Sequence, residues 1–175
     1  MKCAVFSNSN GAMQGGGVIN IMGIASALAD LNAVDFFAPQ ILDQQQVKAL
    51  FPHFGQLPVI RQEPQWIEAP LIGEFQRAVY DTRYDTIIVQ SPYVPRFTFS
   101  NQAYVVCEFP FQRKITWKDR RRLNSYKAII AISEFTAHWI KHRWGVEASL
   151  LYPPVVPITP KEKKPYILGV GRFVG

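Results

Sequence analysis

Ala128-Ile-Ile-Ala-Ile-Ser133-Glu-Phe-Thr-Ala-His-Trp-Ile-Lys-His-Arg-Trp144-Gly145 writes a strand and a helix back to back. Ala128–Ile132 holds no polar side chain, the pattern of a strand buried on both faces. Ser133 offers a hydroxyl to cap the following helix, and Glu134 suits the positive end of that helix. Gly145 is a residue that readily takes the left-handed conformation ending a helix. On the helix between them, Phe135, Trp139, Ile140 and Trp144 are expected on the apolar side, with His138 toward solvent. An all-apolar strand leading directly into a helix is the repeating unit of a parallel sheet covered by helices.

The same unit recurs on either side. Cys3–Ser7 reads as a short buried strand, followed by a loop with Gly11, Gly15, Gly16 and Gly17 and then a helix. Ile21, Ile24, Ala25, Leu28 and Leu31 mark that helix's apolar face, with Asn20, Gly23, Ser26 and Asp30 opposite. Val34–Ala38 is a strand stopped by Pro39. Residues 40–51 read as helix, Leu57–Ile60 as a short strand and 67–80 as a weaker helix. Strands resume at Thr86–Gln90 and Tyr104–Cys107. Thr116-Trp-Lys-Asp119 opens a capped helix, with Asp where Glu is usual. A last strand at Ser149–Tyr152 meets Pro153-Pro154. The alternation predicts a doubly wound α/β domain on a mostly parallel sheet over residues 1–154. Residues 155–165 carry three Pro and three Lys without apolar periodicity and read as an interdomain linker. Tyr166–Val170 reads as a new strand, so 166–175 is expected to be the first strand of a second, truncated domain.

Composition narrows the function classes. The chain has 175 residues, 48% apolar and 18% charged, which is globular rather than disordered. It has no apolar run near the ~18–20 residues that span a bilayer. The polar residues soon after Met1 leave no room for a signal peptide. Two cysteines, Cys3 and Cys107, exclude a disulfide scaffold and fit reduced, buried thiols in a cytoplasmic protein. Charge is lopsided: residues 1–112 hold six Lys/Arg against nine Asp/Glu, and residues 113–175 hold thirteen against four. The run Arg113, Lys114, Lys118, Arg120, Arg121, Arg122, Lys127 suits phosphates or peripheral contact with an anionic membrane, or is simply a solvated face. No nucleic-acid-binding signature accompanies it, so nucleic acid is not expected.

In an open parallel sheet, ligands gather outside the carboxyl ends of the strands. The glycine turn there offers backbone N–H groups and a helix N-terminus to an anion, although it is neither a P-loop nor a clean dinucleotide fingerprint. Glu108 follows a buried strand and suits hydrogen bonding to a sugar hydroxyl or the work of a base, unless it simply pairs with Arg113 or Lys114. Phe109 and Phe111 suit an apolar wall, and Ser91 and Tyr93 sit on the neighbouring loop. His138 and His142 have the spacing of a metal pair, but no third ligand is evident and no metal is expected.

Four stretches in order resemble the amino-terminal domain of retaining glycosyltransferases of the group 1 type, family 4, which have the GT-B fold. They are Gly15-Gly16-Gly17 opening a helix that ends Ala-Leu-Ala-Asp, the Ala128–Ala137 segment, Leu151-Tyr-Pro-Pro-Val155, and Tyr166-Ile-Leu-Gly-Val-Gly-Arg-Phe173. The resemblance implies two Rossmann-like domains with the active site between them, this chain supplying the acceptor-binding domain and little of the donor domain. It implies a nucleotide-sugar donor and a glycan or lipid-linked acceptor, with no further cofactor. Gly16, Gly17 and Arg172 would meet the donor's phosphates. Ser91, Tyr93, Phe109, Phe111, Arg113 and Lys114 would shape the acceptor side. Glu108 stands where many members of the family place a histidine, and it is the candidate catalytic residue. Two other readings are a dinucleotide-binding domain, with Asp35 as the ribose acid, and a non-catalytic carbohydrate-binding module.

Overall fold

A computed structural model describes residues 1–7, 16–38, 43–62, 72–112 and 114–155. Seven parallel strands form one sheet in the order β3-β2-β1-β4-β5-β6-β7. They are β1 (Lys2–Phe6), β2 (Ala33–Ala38), β3 (Val59–Gln62), β4 (Thr86–Gln90), β5 (Ala103–Cys107), β6 (Ala128–Ala131) and β7 (Ser149–Leu150). The helices are α1 (Gly16–Ala29), α2 (Gln44–Leu50), α3 (Ile72–Asp81), α4 (Trp117–Leu123) and α5 (Glu134–Trp144). This is the expected Rossmann-like, doubly wound α/β fold, with every strand pair parallel.

The strands are apolar on both faces because helices cover both. Cys3, Val5, Val34, Phe36, Ile88 and Val106 pack with Ile21, Met22 and Ala25 of α1 and Val47 of α2. On the opposite face Ala4, Phe6, Phe37 and Ile87 pack with Tyr84. Farther along that face, Val105, Cys107, Ile129 and Ala131 pack with Leu123, Ile140 and Trp144. The caps are those read from the sequence. Thr116 and Asp119 form a reciprocal capping box on α4, Ser133 Oγ accepts from Thr136 N on α5, and Gly145 closes α5 at φ 65°. An unforeseen capping box, Asp43 with Gln46, starts α2.

Several expectations are corrected. Leu31 is 86% exposed, because α1 ends at Ala29 and the chain turns away, Asn32 donating through N and Nδ2 to Leu28 O. Ser26 is buried rather than solvent-facing, since its Oγ donates to Gln56 O at 2.9 Å. Asn20 is also buried, with no hydrogen-bond partner for its amide among the described residues. On α5 the buried stripe is Thr136, Ile140 and Trp144, and Phe135 is 65% exposed. Threonine takes the inward position because its hydroxyl finds a backbone acceptor there, Glu108 O at 2.8 Å. The third strand starts two residues later than Leu57. Between β4 and β5 no helix forms: residues 91–102 cross as an irregular segment. The proposed linker beyond Val155 and the strand at 166–175 lie outside the described residues, as do residues 40–42 and 67–71 of two expected helices.

Two outcomes follow from this packing. Phe36→Ala, at a fully buried site, is expected to lower unfolding free energy by about 3–5 kcal/mol, whereas Leu31→Ala stays within about 0.5, both read by denaturant titration. Burial pushes the Cys107 thiol up to about 12, with the Glu108 charge adding to it, and burial also raises Cys3. Both thiols should therefore resist iodoacetamide at pH 8 in the native chain and react in guanidinium, as counted by mass spectrometry.

Candidate functional site

The sheet reverses its winding between β1 and β4, and the carboxyl ends of these strands frame the crevice where such folds hold ligands. Ser7 follows β1, Gln90 ends β4 and Glu108 follows β5. Gln90 joins all three strands to α1. Its Oε1 accepts from Ser7 Oγ at 3.1 Å, while its Nε2 donates to Gly17 O at 3.0 Å and to Glu108 Oε1 at 2.7 Å. The bond to a carboxylate is the strong member of this set.

Gly17 is glycine for a steric reason. A Cβ built there would overlap Glu108 Oε1 and lie 2.6 Å from Oε2. The carboxylate thus sits against the first turn of α1, where the helix's positive end favours a negative charge. Gly16 differs, since a Cβ there would meet nothing within 4 Å. Of the two glycines expected to face donor phosphates, Gly17 is covered by the chain's own carboxylate and Gly16 stands open.

From below, α5 holds Glu108 through the Thr136 hydroxyl on its carbonyl. Beside it lies an aromatic wall. Phe109 stacks on Phe135 with centroids 6.0 Å apart, touches Phe111 at 5.5 Å and reaches Trp139 at 6.2 Å. Tyr93 joins Phe111 at 6.2 Å. Arg143 fastens this wall, donating from Nη1 to Pro110 O at 2.7 Å while its guanidinium lies over Phe109 and Trp139. Tyr93, Phe111 and Phe135 remain exposed.

On the other side of Gln90 is a cavity of about 240 Å³, lined among others by Phe6, Ser7, Gln90, Ser91 and Arg96. Ser91 Oγ accepts from Tyr93 N at 3.2 Å.

The structure therefore brings together Glu108, Gly17, Phe109, Phe111, Tyr93 and Ser91 along one edge. Lys114 is exposed and makes no ion pair with Glu108, whose partner is Gln90. Arg113 and Arg172 lie outside the described residues, as do Gly11 and Gly15. Gln90, Thr136 and Arg143 were not foreseen. For Gln90 the signal was present, as a polar residue ending the otherwise buried strand Thr-Ile-Ile-Val-Gln. His138 and His142 stack at 6.5 Å, and no group of three His, Cys, Asp or Glu side chains gathers among the described residues. No helix among the described residues is long and apolar enough to cross a membrane.

Asp35 is fully engaged elsewhere. Arg61 Nε meets its Oδ1 at 2.5 Å, Lys2 Nζ lies 3.5 Å from its Oδ2, and Tyr84 OH donates to it at 2.8 Å. Burial, with Tyr80 and Asp35 adding to it, pushes the Tyr84 phenol well above its ordinary range, so it stays a neutral donor. A scan against protein-family models and a search of curated proteins both return no match.

Gly17→Ala should displace the Glu108 carboxylate and break its bond to Gln90, costing about 1.5–3 kcal/mol. In a Glu108→Ala background the same substitution should cost little. A denaturant double-mutant cycle reads the coupling, and purely additive effects would contradict the contact.

Proposed function

We propose that this chain is the acceptor-side domain of a retaining glycosyltransferase that uses a nucleotide-sugar donor. The observation that carries the reading is Glu108. Its carboxylate is anchored through Oε1 at the carboxyl edge of the sheet, and its Oε2 takes no hydrogen bond from any described residue. An acceptor hydroxyl donating to Oε2 would be oriented toward a donor held opposite, and the neighbouring Phe109 and Phe111 faces suit a sugar ring. The ordered motifs that resemble family 4 support the same reading.

In such a reaction the acceptor oxygen bonds to the anomeric carbon as the carbon–phosphate-oxygen bond breaks. The acceptor's proton passes to the departing phosphate oxygen, so Glu108 need only orient the hydroxyl. The open turn at Gly16 and the charge of Arg172 would meet the negative charge growing on the leaving group. The dinucleotide reading is weaker, because Asp35 is already bound by Arg61, Lys2 and Tyr84 within β2.

The test is sugar transfer by the full-length protein bearing this chain, with the product's anomeric configuration read by NMR. Glu108→Gln keeps the shape and removes the charge that orients the hydroxyl, and the misplaced acceptor is expected to lower kcat about 10²-fold. Saturable micromolar binding of NAD with no sugar transfer would replace this reading with the oxidoreductase one.

A further inference from the structure

Residues 91–102 cross between two parallel strands without a helix, yet the segment is tightly held. Tyr126 OH donates to Arg96 O at 2.7 Å, Thr98 N donates to Ser125 Oγ at 3.2 Å, and Val94 N donates to Gln112 Oε1 at 3.2 Å. Pro95, in the middle, is buried. The segment thus presents Arg96 from a fixed backbone to the cavity of about 240 Å³ beside Gln90.

Among the described residues that line the cavity, the charge is unbalanced: Arg77 and Arg96 are there and no Asp or Glu is. Arg77 has its counter-charge nearby, its Nε donating to Asp81 Oδ1 at 2.7 Å, and it lies over the Phe6 ring. Arg96 has none among the described residues, and it is half-buried at the cavity wall, with its Nη1 enclosed by protein and without a hydrogen-bond partner. A buried guanidinium nitrogen with no acceptor is costly, so a rotation that turns it toward an anion in the cavity gains a bond the empty site lacks. The remaining polar groups suit the same occupant. Ser91 Oγ already accepts from Tyr93 N, which leaves its own proton to donate.

We propose that this cavity is an oxyanion site in which Arg96, with Ser91 beside it, binds a phosphate monoester or carboxylate group. Arginine's planar fork matches both anions. The volume falls below the ~300–1,000 Å³ of pockets that enclose a whole drug-sized ligand, so the site takes an anionic group and not the body of the molecule. Because Ser7 and Gln90 belong both to the cavity wall and to the bridge holding Glu108, a ligand anchored here lies along the edge that carries Glu108. The inference stands on this geometry and not on sugar transfer.

The experiment titrates inorganic phosphate into the chain while NMR follows the backbone amide resonances of Gln90, Ser91 and residue 96, which every variant retains. At constant ionic strength, these signals should shift saturably. Arg96→Met should abolish saturation, Arg96→Lys, which keeps the charge and loses the fork, should weaken it about tenfold, and exposed Arg121→Met should leave it unchanged. Should Arg96→Met fail to fold, as judged by circular dichroism, Arg96→Lys decides alone. A parallel titration with acetate separates the sources: tighter phosphate binding assigns a phosphate monoester, and tighter acetate binding assigns a carboxylate. Linear, unsaturable shifts with both anions would overturn the site, as would saturation that Arg96→Lys leaves unaltered. Neither result touches the transferase reading, which is measured by transfer.

Discussion

Glu108 fills the space that any side chain at position 17 would need. The carboxyl edge is arranged around that contact. Helix α1 can start against the sheet only because position 17 has no Cβ. The carboxylate can lie there only because Gln90 holds one of its oxygens and Thr136 holds the backbone behind it. Gln90 is itself oriented by Ser7, so β1, β4, β5, α1 and α5 meet through one amide and one carboxylate. The electrostatics agree with the sterics. A helix N-terminus attracts negative charge, and here the chain supplies its own.

The charges on the sheet are used differently along its length. Asp35 is closed off by Arg61, Lys2 and Tyr84, and Asp85 Oδ2 accepts from the backbone N–H of Lys2. That arrangement satisfies its charges and leaves little to offer a ligand. At the carboxyl edge, among the described residues, one oxygen of Glu108 and the Nη1 of Arg96 remain without a partner. Both are carried by backbone that other side chains pin. Rigid support with unmatched charge is what a binding edge requires, since a group already satisfied has little to gain from a ligand.

The fold could be read from the sequence because its signals are local. Ala128–Ala131, Ser133 and Gly145 each act within a few residues, and the strand, cap and helix end fall where their chemistry puts them. The same holds for the Thr116–Asp119 box. Apolar periodicity misplaces a residue where a distant partner decides its burial. Ser26 is inward because Gln56 O accepts its proton, and Thr136 because Glu108 O does, neither of which apolar periodicity can register. Phe135 went the other way, displaced from the core face to the aromatic wall by Thr136. At the site, Glu108, Phe109 and Phe111 could be found because they follow an apolar strand. Arg143 could not, because it acts across the fold on the carbonyl of Pro110.

The two open charges also limit what the edge accepts. Glu108 repels an anion placed directly against Gly17, so a phosphate approaching α1 meets the turn at Gly16 instead. Arg96, in the cavity that Gln90 also lines, would favour the opposite arrangement, with negative charge drawn into the cavity and away from the carboxylate. Under the proposed readings, a ligand satisfying both would place a hydroxyl at Glu108 Oε2 and its anionic group at Arg96. Reversing it would set anion against carboxylate and leave the guanidinium unmatched. The opposed signs of Glu108 and Arg96 would then orient such a ligand along the edge, whichever chemistry follows.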